Sequence, residues 1–216
     1  MGRYYENCFV FVVNNDLLSN CWLCRCESKT RGAQSKQLVH HNIGRLSLAR
    51  VIFWCRNDFE TYSAAKEYTS THHLRVVHIG LSGTDTYGHK KQYDYYLYQA
   101  HLADKIIAGL WQIVHASSFY RDNTTVIITT DHGRGSSDNS WYNDGMLVRG
   151  SSQTWAALIG NGIKSIGESS QAIQLYQKQV AGTMGYFLNA TSYKNYSFPL
   201  SYFTPLNNRQ SGLTDF

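Results

Sequence analysis

The chain has 216 residues, enough for one domain with a sizeable core, and 43% of them are hydrophobic. No apolar run approaches the ~20 residues that a transmembrane helix needs, so none is expected. The net charge of +5 comes from the start of the chain, because residues 1–57 contain eight Lys or Arg against three Asp or Glu, whereas residues 58–216 contain twelve of each. A solvated basic segment accounts for this excess, and no nucleic-acid partner is expected.

The first quarter also holds every cysteine of the chain. Cys21, Cys24 and Cys26 invite a zinc interpretation, but a closed structural site needs four ligands in pairs at a characteristic spacing, so free thiols are favoured. The apolar run over residues 9–13 is either a strand or a weak signal sequence, and it is too short for the latter. The compartment is therefore left open. The shifts in charge and cysteine content place a boundary near residue 57, between an atypical, poorly ordered segment (1–57) and an α/β domain (58–216).

Regular patterns begin at Asp58. A helix is predicted from there to about His72, with Asp58 as its N-cap and Phe59, Tyr62 and Ala65 on the buried face. A buried strand over residues 74–80 and a glycine-containing loop over 83–89 follow. A long helix over about 92–116 then has an apolar stripe at helical spacing.

The strand over residues 124–130 is the clearest element of the sequence. Its residues, TTVIITT, are all β-branched and uncharged, which is typical of a strand buried on both faces. A short strand over 155–159 and a helix over about 169–188 complete the order helix, strand, helix, strand, strand, helix. This alternation predicts an α/β fold in which helices cover a sheet that is at least partly parallel.

Two of the predicted strands are followed by an aspartate and a histidine. Asp85 and His89 come after the first, and Asp131 and His132 come after the second, at the ends where ligands bind in open α/β sheets. Gly133 and Gly135 are expected to supply a bend that lets Asp131 and His132 reach one ion. Carboxylate and imidazole are zinc ligands, and two ions ~3.5–4 Å apart can clamp a phosphoryl group. Taken singly, Asp85 is more often a loop cap and His89 a surface histidine.

Several runs in order make the pattern more specific. They are VVHIGLSGTDTYGH over 76–89, YLYQAHLAD over 96–104, NTTVIITTDHGRG over 123–135, TWAALIG over 154–160 and QKQVAGTM over 177–184. Together they resemble the carboxyl-terminal part of the alkaline phosphatase superfamily, which includes phosphatases, nucleotide pyrophosphatases/phosphodiesterases and sulfatases. The resemblance covers roughly residues 58–190. It implies a partial alkaline-phosphatase-like fold, with a mostly parallel sheet and helices on both faces.

The resemblance also implies an activity and its cofactors. The chain would be a metal-dependent hydrolase of small phosphoric esters, a phosphomonoesterase or phosphodiesterase, with two divalent ions. Zinc is the first choice, and manganese or magnesium are alternatives. Asp85 and His89 would bind one ion, and Asp131 and His132 the other. Asp144 stands before Gly145 where the family has a histidine, and its shorter reach and added charge put affinity at the first ion in doubt.

The family's nucleophile has no clear counterpart. Asp16, followed by Thr30, Ser35 or Ser47, only faintly imitates the upstream metal-binding Asp and hydroxyl nucleophile. The catalytic residue is thus not identified, and a fragment lacking its nucleophile is expected. The alternatives are a catalytically inactive metal-binding remnant and a sulfatase-like ester hydrolase, whose substrate would be a sulfate ester. The oligomeric state is not predicted.

Overall fold

The computed structural model describes residues 8–14, 49–52, 57–169 and 174–188. The described strands are β1 (Cys8–Asn14), β2 (Ala49–Ile52), β3 (Val76–Leu81), β4 (Thr124–Thr130) and β5 (Ala156–Gly160). The described helices are α1 (Asp58–Thr71), α2 (Gly83–His89), α3 (Tyr93–Ala116) and α4 (Gln179–Phe187). The five strands form one sheet in the order β2-β3-β1-β4-β5. The chain therefore has a mixed α/β architecture.

The sheet is mixed in direction. β2 is parallel to β3, whereas β1 is antiparallel to both β3 and β4, and β5 is antiparallel to β4. The expectation of a mostly parallel sheet is wrong for these strands. Two strands are the reason. β1 comes from the first quarter of the chain and runs in the opposite direction between β3 and β4, and β5 runs in the opposite direction beside β4. The boundary placed near residue 57 is consequently not a boundary of the sheet.

Helices cover both faces of the sheet, as the alternation of side chains along each strand requires. On β4, Val126 and Ile128 face a core that includes Ala65 of α1 and Leu110 of α3. The intervening Ile127 faces the opposite way, into a second core with members from α4 and β5. All seven residues of β4 are buried, which follows from this two-sided covering.

Helix α1 begins where it was predicted, but its first turn works differently. Asn57 is the N-cap, and its side chain accepts a hydrogen bond from the backbone N–H of Glu60 (2.9 Å). Asp58 is buried instead, and Phe59 is 62% exposed, so the predicted apolar face was misplaced at that residue. The buried residues of α1 are Asp58, Thr61, Ala65 and Thr69.

Two other elements differ from their predictions. Residues 83–89 form α2 rather than a loop, and α4 begins at Gln179, ten residues after the predicted start of the last helix. Glycine is a poor helix former, which hid α2, but its first turn is held by a buried carboxylate described below. Within the described part of the chain, no helix is long and apolar enough to cross a membrane.

The place of β1 in the sheet gives a first prediction. A chain that begins at residue 15 lacks β1 but keeps β2, and the N–H and C=O groups of β3 and β4 that face β1 lose their partners. We expect this truncated chain to lose cooperative thermal unfolding in circular dichroism. A chain that begins at residue 7 keeps β1 and is the control, which should unfold like the full chain. Equal unfolding of all three chains would contradict the assigned role of β1.

The histidine of β3 gives a second prediction. Burial lowers the pKa of His78 to about 4, from an ordinary value of 6.5. Between these values the unfolded chain binds more protons than the folded one, so stability falls as the pH falls from 6.5 to 4, by about 3 kcal/mol over the whole window. Above pH 6.5 this residue should contribute no pH dependence.

Urea unfolding of the wild type and His78→Gln between pH 7.5 and 4.5, in the presence of a chelator, would test this. The wild type should lose more stability than the variant by about 2–3 kcal/mol on acidification. Parallel curves for the two proteins would show that His78 is not held neutral by burial.

Candidate metal centre

The candidate metal centre consists of Asp85, His89, Asp131, His132 and Asp144. It lies at the end of the sheet where β3 and β4 finish. Cys8, the first residue of β1, is paired with both Leu81 and Thr130, the last residues of β3 and β4. The two ends are therefore level with one another but separated by one strand, which places them about 10 Å apart. Helix α2, which follows β3, and the loop after β4 therefore have to approach each other across the start of β1.

Helix α2 brings the first pair of residues to this point. The carboxylate of Asp58 accepts hydrogen bonds from the backbone N–H groups of Ser82 (2.9 Å) and Gly83 (3.1 Å), and so holds the start of α2. Burial raises the pKa of the Asp58 carboxyl, although these two hydrogen bonds act in the opposite direction. Asp85 and His89 lie one turn apart on α2, with Asp85 Oδ1 3.2 Å from His89 Nε2.

The loop after β4 brings the second pair. His132 donates its backbone N–H to the carboxylate of Asp131 (3.0 Å), and its Nδ1 lies 3.0 Å from the carbonyl oxygen of Gly133. These contacts orient the imidazole, whose Nε2 is 3.6 Å from Asp131 Oδ2.

Gly133 is required here for close approach, not for a left-handed bend. Its φ is not positive, and the same is true of Gly135. A Cβ at Gly133 would lie 2.3 Å from the carbonyl oxygen of Gln153, and one at Gly135 would lie 2.1 Å from that of Ser140. The loop after β4 is therefore packed backbone against backbone beneath the centre.

Asp144 joins the two pairs. Its Oδ2 lies 3.3 Å from His89 Nε2 and 3.1 Å from His132 Nε2, so one carboxylate oxygen stands between two imidazoles. The side chain of Asp144 therefore reaches both histidines. The preceding residue, Asn143, accepts a backbone hydrogen bond from Gly135 (2.9 Å) and thereby ties this loop to the one that follows β4.

The structure thus brings all five of the predicted residues together. Asp85, His132 and Asp144 each offer a ligand atom within 4.8 Å of the others, and His89 and Asp131 are joined to them by the contacts above. The side chains are partly exposed, and His89 is the most open of them at 48%. The nominal residues Asp16, Thr30, Ser35 and Ser47 lie outside the described residues, as do Cys21, Cys24 and Cys26. A cavity of about 770 Å³ runs along β5 and is lined by none of the five.

Arg134 is the contributor that sequence reasoning missed. Its side chain is fully buried, and its guanidinium donates hydrogen bonds to the carboxylate and the carbonyl oxygen of Asp85 and to the carbonyl oxygen of Tyr142 (2.9 Å). An arginine directly after Asp-His-Gly, in a loop following a buried strand, was the available indication. It was not used, because an arginine in a loop is ordinarily exposed.

No protein-family model, curated protein or solved structure matches this chain. The likeness to the alkaline phosphatase superfamily accordingly depends on the motifs quoted above and on no independent comparison. The chemistry of the centre depends on its five ligand-type side chains and on the buried Arg134 that contacts Asp85.

Proposed function

We propose that this chain is a metal-dependent hydrolase of phosphoric esters, with a partial alkaline-phosphatase-like fold. The observation that supports this best is the position of Asp144 Oδ2, between the Nε2 atoms of His89 and His132. Each of those histidines has a second carboxylate beside it, Asp85 or Asp131. Two carboxylate–imidazole pairs that share a third carboxylate are a donor set suited to one or two divalent ions.

The spacing of the donor atoms fits metal ligands. Ligands about 2.0–2.1 Å from a tetrahedral zinc ion stand about 3.3 Å from one another. The N···O separations in the centre are 3.2, 3.3, 3.1 and 3.6 Å. Charge-assisted N–H···O hydrogen bonds are shorter, about 2.7–2.9 Å. The separations are therefore close to those of ligands around a tetrahedral ion, which supports the proposed donor set.

Each residue has a definable role in this proposal. Asp85, His89 and Asp144 would hold one ion, and Asp131 and His132 would hold a second. Zinc is the first choice because it accepts this mixture of nitrogen and oxygen ligands, and manganese or magnesium are alternatives. When bound, such an ion supplies a Lewis acid that polarises a phosphoryl oxygen. The Nδ1 contact of His132 with Gly133 keeps its Nε2 directed at the centre.

Cationic side chains near the centre suit an anionic substrate. Lys90 and Lys91 directly follow His89, and the ammonium of Lys91 lies 4.0 Å from the centre of the Tyr142 ring, two residues before Asp144. Lys91 has a φ of 58°, a left-handed conformation that costs a non-glycine residue about 1 kcal/mol. This conformation ends α2, because the N–H groups of Lys91 and Gln92 donate to the carbonyl oxygens of Gly88 and Tyr87. The positive charge of Lys91 suits recognition of a small phosphate or sulfate ester.

A second candidate is a metal-binding protein that turns over no ester. Asp144 favours it, since a third carboxylate neutralises more of an ion's charge and weakens its pull on a phosphoryl oxygen. A sulfate ester substrate is the further alternative within hydrolysis, because its oxygens present the same geometry to the centre. These candidates differ in measurable ways.

Asp144→Asn provides the test, because it removes one charge and leaves the shape of the side chain. We expect zinc affinity, measured by competition with a chromogenic chelator, to fall by about tenfold or more. Asp138→Asn is the matched control, since Asp138 is exposed in the same loop, and it should bind zinc like the wild type. Hydrolysis of p-nitrophenyl phosphate, bis-p-nitrophenyl phosphate and p-nitrophenyl sulfate by the zinc-loaded wild type would be measured alongside.

Metal-dependent release of p-nitrophenol from either phosphate would support the hydrolase, and release from the sulfate alone would favour the sulfatase-like alternative. Zinc binding that depends on Asp144 without any release would favour the inactive metal-binding protein. A wild-type chain that binds no divalent ion would exclude all three.

A further inference from the structure

Arg134 carries a positive charge and contacts Asp85, although Asp85 belongs to a centre that is proposed to bind cations. Its side chain is fully buried, and a charge withdrawn from water is costly unless it is paired and hydrogen-bonded. The partners are the Asp85 carboxylate, the Asp85 carbonyl oxygen and the Tyr142 carbonyl oxygen. A rigid planar guanidinium can satisfy all three acceptors at once, which the single ammonium of a lysine cannot do in the same geometry.

These contacts join the two segments that bring carboxylates to the centre. Asp85 belongs to α2, whereas Tyr142 lies two residues before Asp144 in the loop after β4. The Asp85 oxygen that meets Arg134 is Oδ1, the same atom that lies 3.2 Å from His89 Nε2. Arg134 consequently fixes the direction of one carboxylate and the backbone that leads to another.

Gly88 makes room for this arrangement. It lies three residues after Asp85, on the same side of α2, and is buried. A Cβ at Gly88 would stand 2.7 Å from Arg134 Cζ and 2.9 Å from both Nε and Nη1. Its backbone is helical and has no positive φ, so the conformation does not demand a glycine there. A glycine is needed at this position because a Cβ would collide with the guanidinium of Arg134.

We propose that Arg134 is a positioning residue for the metal centre, and that Gly88 is the space which lets it reach Asp85. This inference rests on the proposed function, because it concerns how tightly the same centre binds its ion. Arg134 could affect metal affinity by orienting the ligands or by its positive charge alone, and the two roles predict opposite effects of replacing it. If Arg134 acted only as a nearby positive charge, removing it would tighten the binding of a divalent cation, whereas a positioning residue weakens binding when it is removed.

The test measures zinc affinity by chelator competition for the full chain and its variants Arg134→Met, Arg134→Lys and Gly88→Ala, and for the double variant Gly88→Ala/Arg134→Lys. We expect Arg134→Met to weaken zinc binding by about tenfold or more, and Arg134→Lys and Gly88→Ala to weaken it by about three- to tenfold. In the Arg134→Lys background, Gly88→Ala should change affinity by less than about twofold, because the rigid guanidinium that the new methyl group displaces is already gone.

Gly109→Ala is the matched control. Gly109 is also a helical glycine whose Cβ would meet a side chain, the Tyr62 hydroxyl, but it lies in α3 and contacts none of the centre. Its zinc affinity should equal that of the wild type. Thermal unfolding of every variant in the presence of a chelator shows whether the variant folds. If Arg134→Met does not fold, the zinc affinities of Gly88→Ala and Arg134→Lys provide the test.

Each outcome decides the matter. Weaker binding in the Arg134 variants and Gly88→Ala, with the non-additive double variant, supports the positioning role. Unchanged or tighter binding in folded variants, or independent effects of Gly88→Ala and Arg134→Lys, overturns it while leaving the proposed function in place. A wild type that binds no zinc overturns both.

Discussion

The pairing of β1 between β3 and β4 is the constraint on which the centre depends. One residue, Cys8, pairs with the last residues of both flanking strands, β3 and β4. The segments that carry Asp85 and Asp131 therefore leave the sheet at the same end but about 10 Å apart. The gap is closed from both sides. On one side Asp58 holds the start of α2, and on the other the loop after β4 packs backbone against backbone at Gly133. Arg134 then links the two sides through Asp85 and Tyr142.

The charges of the cluster suit the proposed divalent ion. The carboxylates of Asp85 and Asp144 lie within 4.8 Å of each other, and like charges at this separation repel. Arg134 offsets one of the three carboxylates, which leaves a net negative centre lined by imidazole nitrogens. A divalent ion would neutralise it and use the nitrogens as ligands.

Local patterns predicted much of the fold and missed its long-range pairing. The uncharged β-branched run of β4 and the apolar stripe of α3 identified both elements, since periodicity reports burial directly. β1 was recognised only as a strand or a weak signal sequence, and nothing in its sequence states that it pairs antiparallel with strands more than 60 residues away. Phe59 was expected on the buried face of α1 and Asp58 at its N-cap, but Phe59 is exposed and Asp58 is buried. The sequence did not indicate this, because the hydrogen-bond partners of Asp58, Ser82 and Gly83, are distant in sequence. Two Asp and His pairs were found from their positions after two predicted strands, and Asp144 was found from the resemblance. Arg134 and Gly88 required the structure.

X-ray absorption at the zinc edge, on the full chain loaded with one equivalent of zinc, tests the central claim most directly, namely that the Asp and His cluster binds the ion. The account predicts a first shell of nitrogen and oxygen at about 2.0–2.1 Å with outer-shell scattering from imidazole, and loss of that imidazole scattering in His89→Ala/His132→Ala. A sulfur shell at about 2.3 Å, which the cysteines Cys21, Cys24 and Cys26 would supply, would place the ion elsewhere and contradict it.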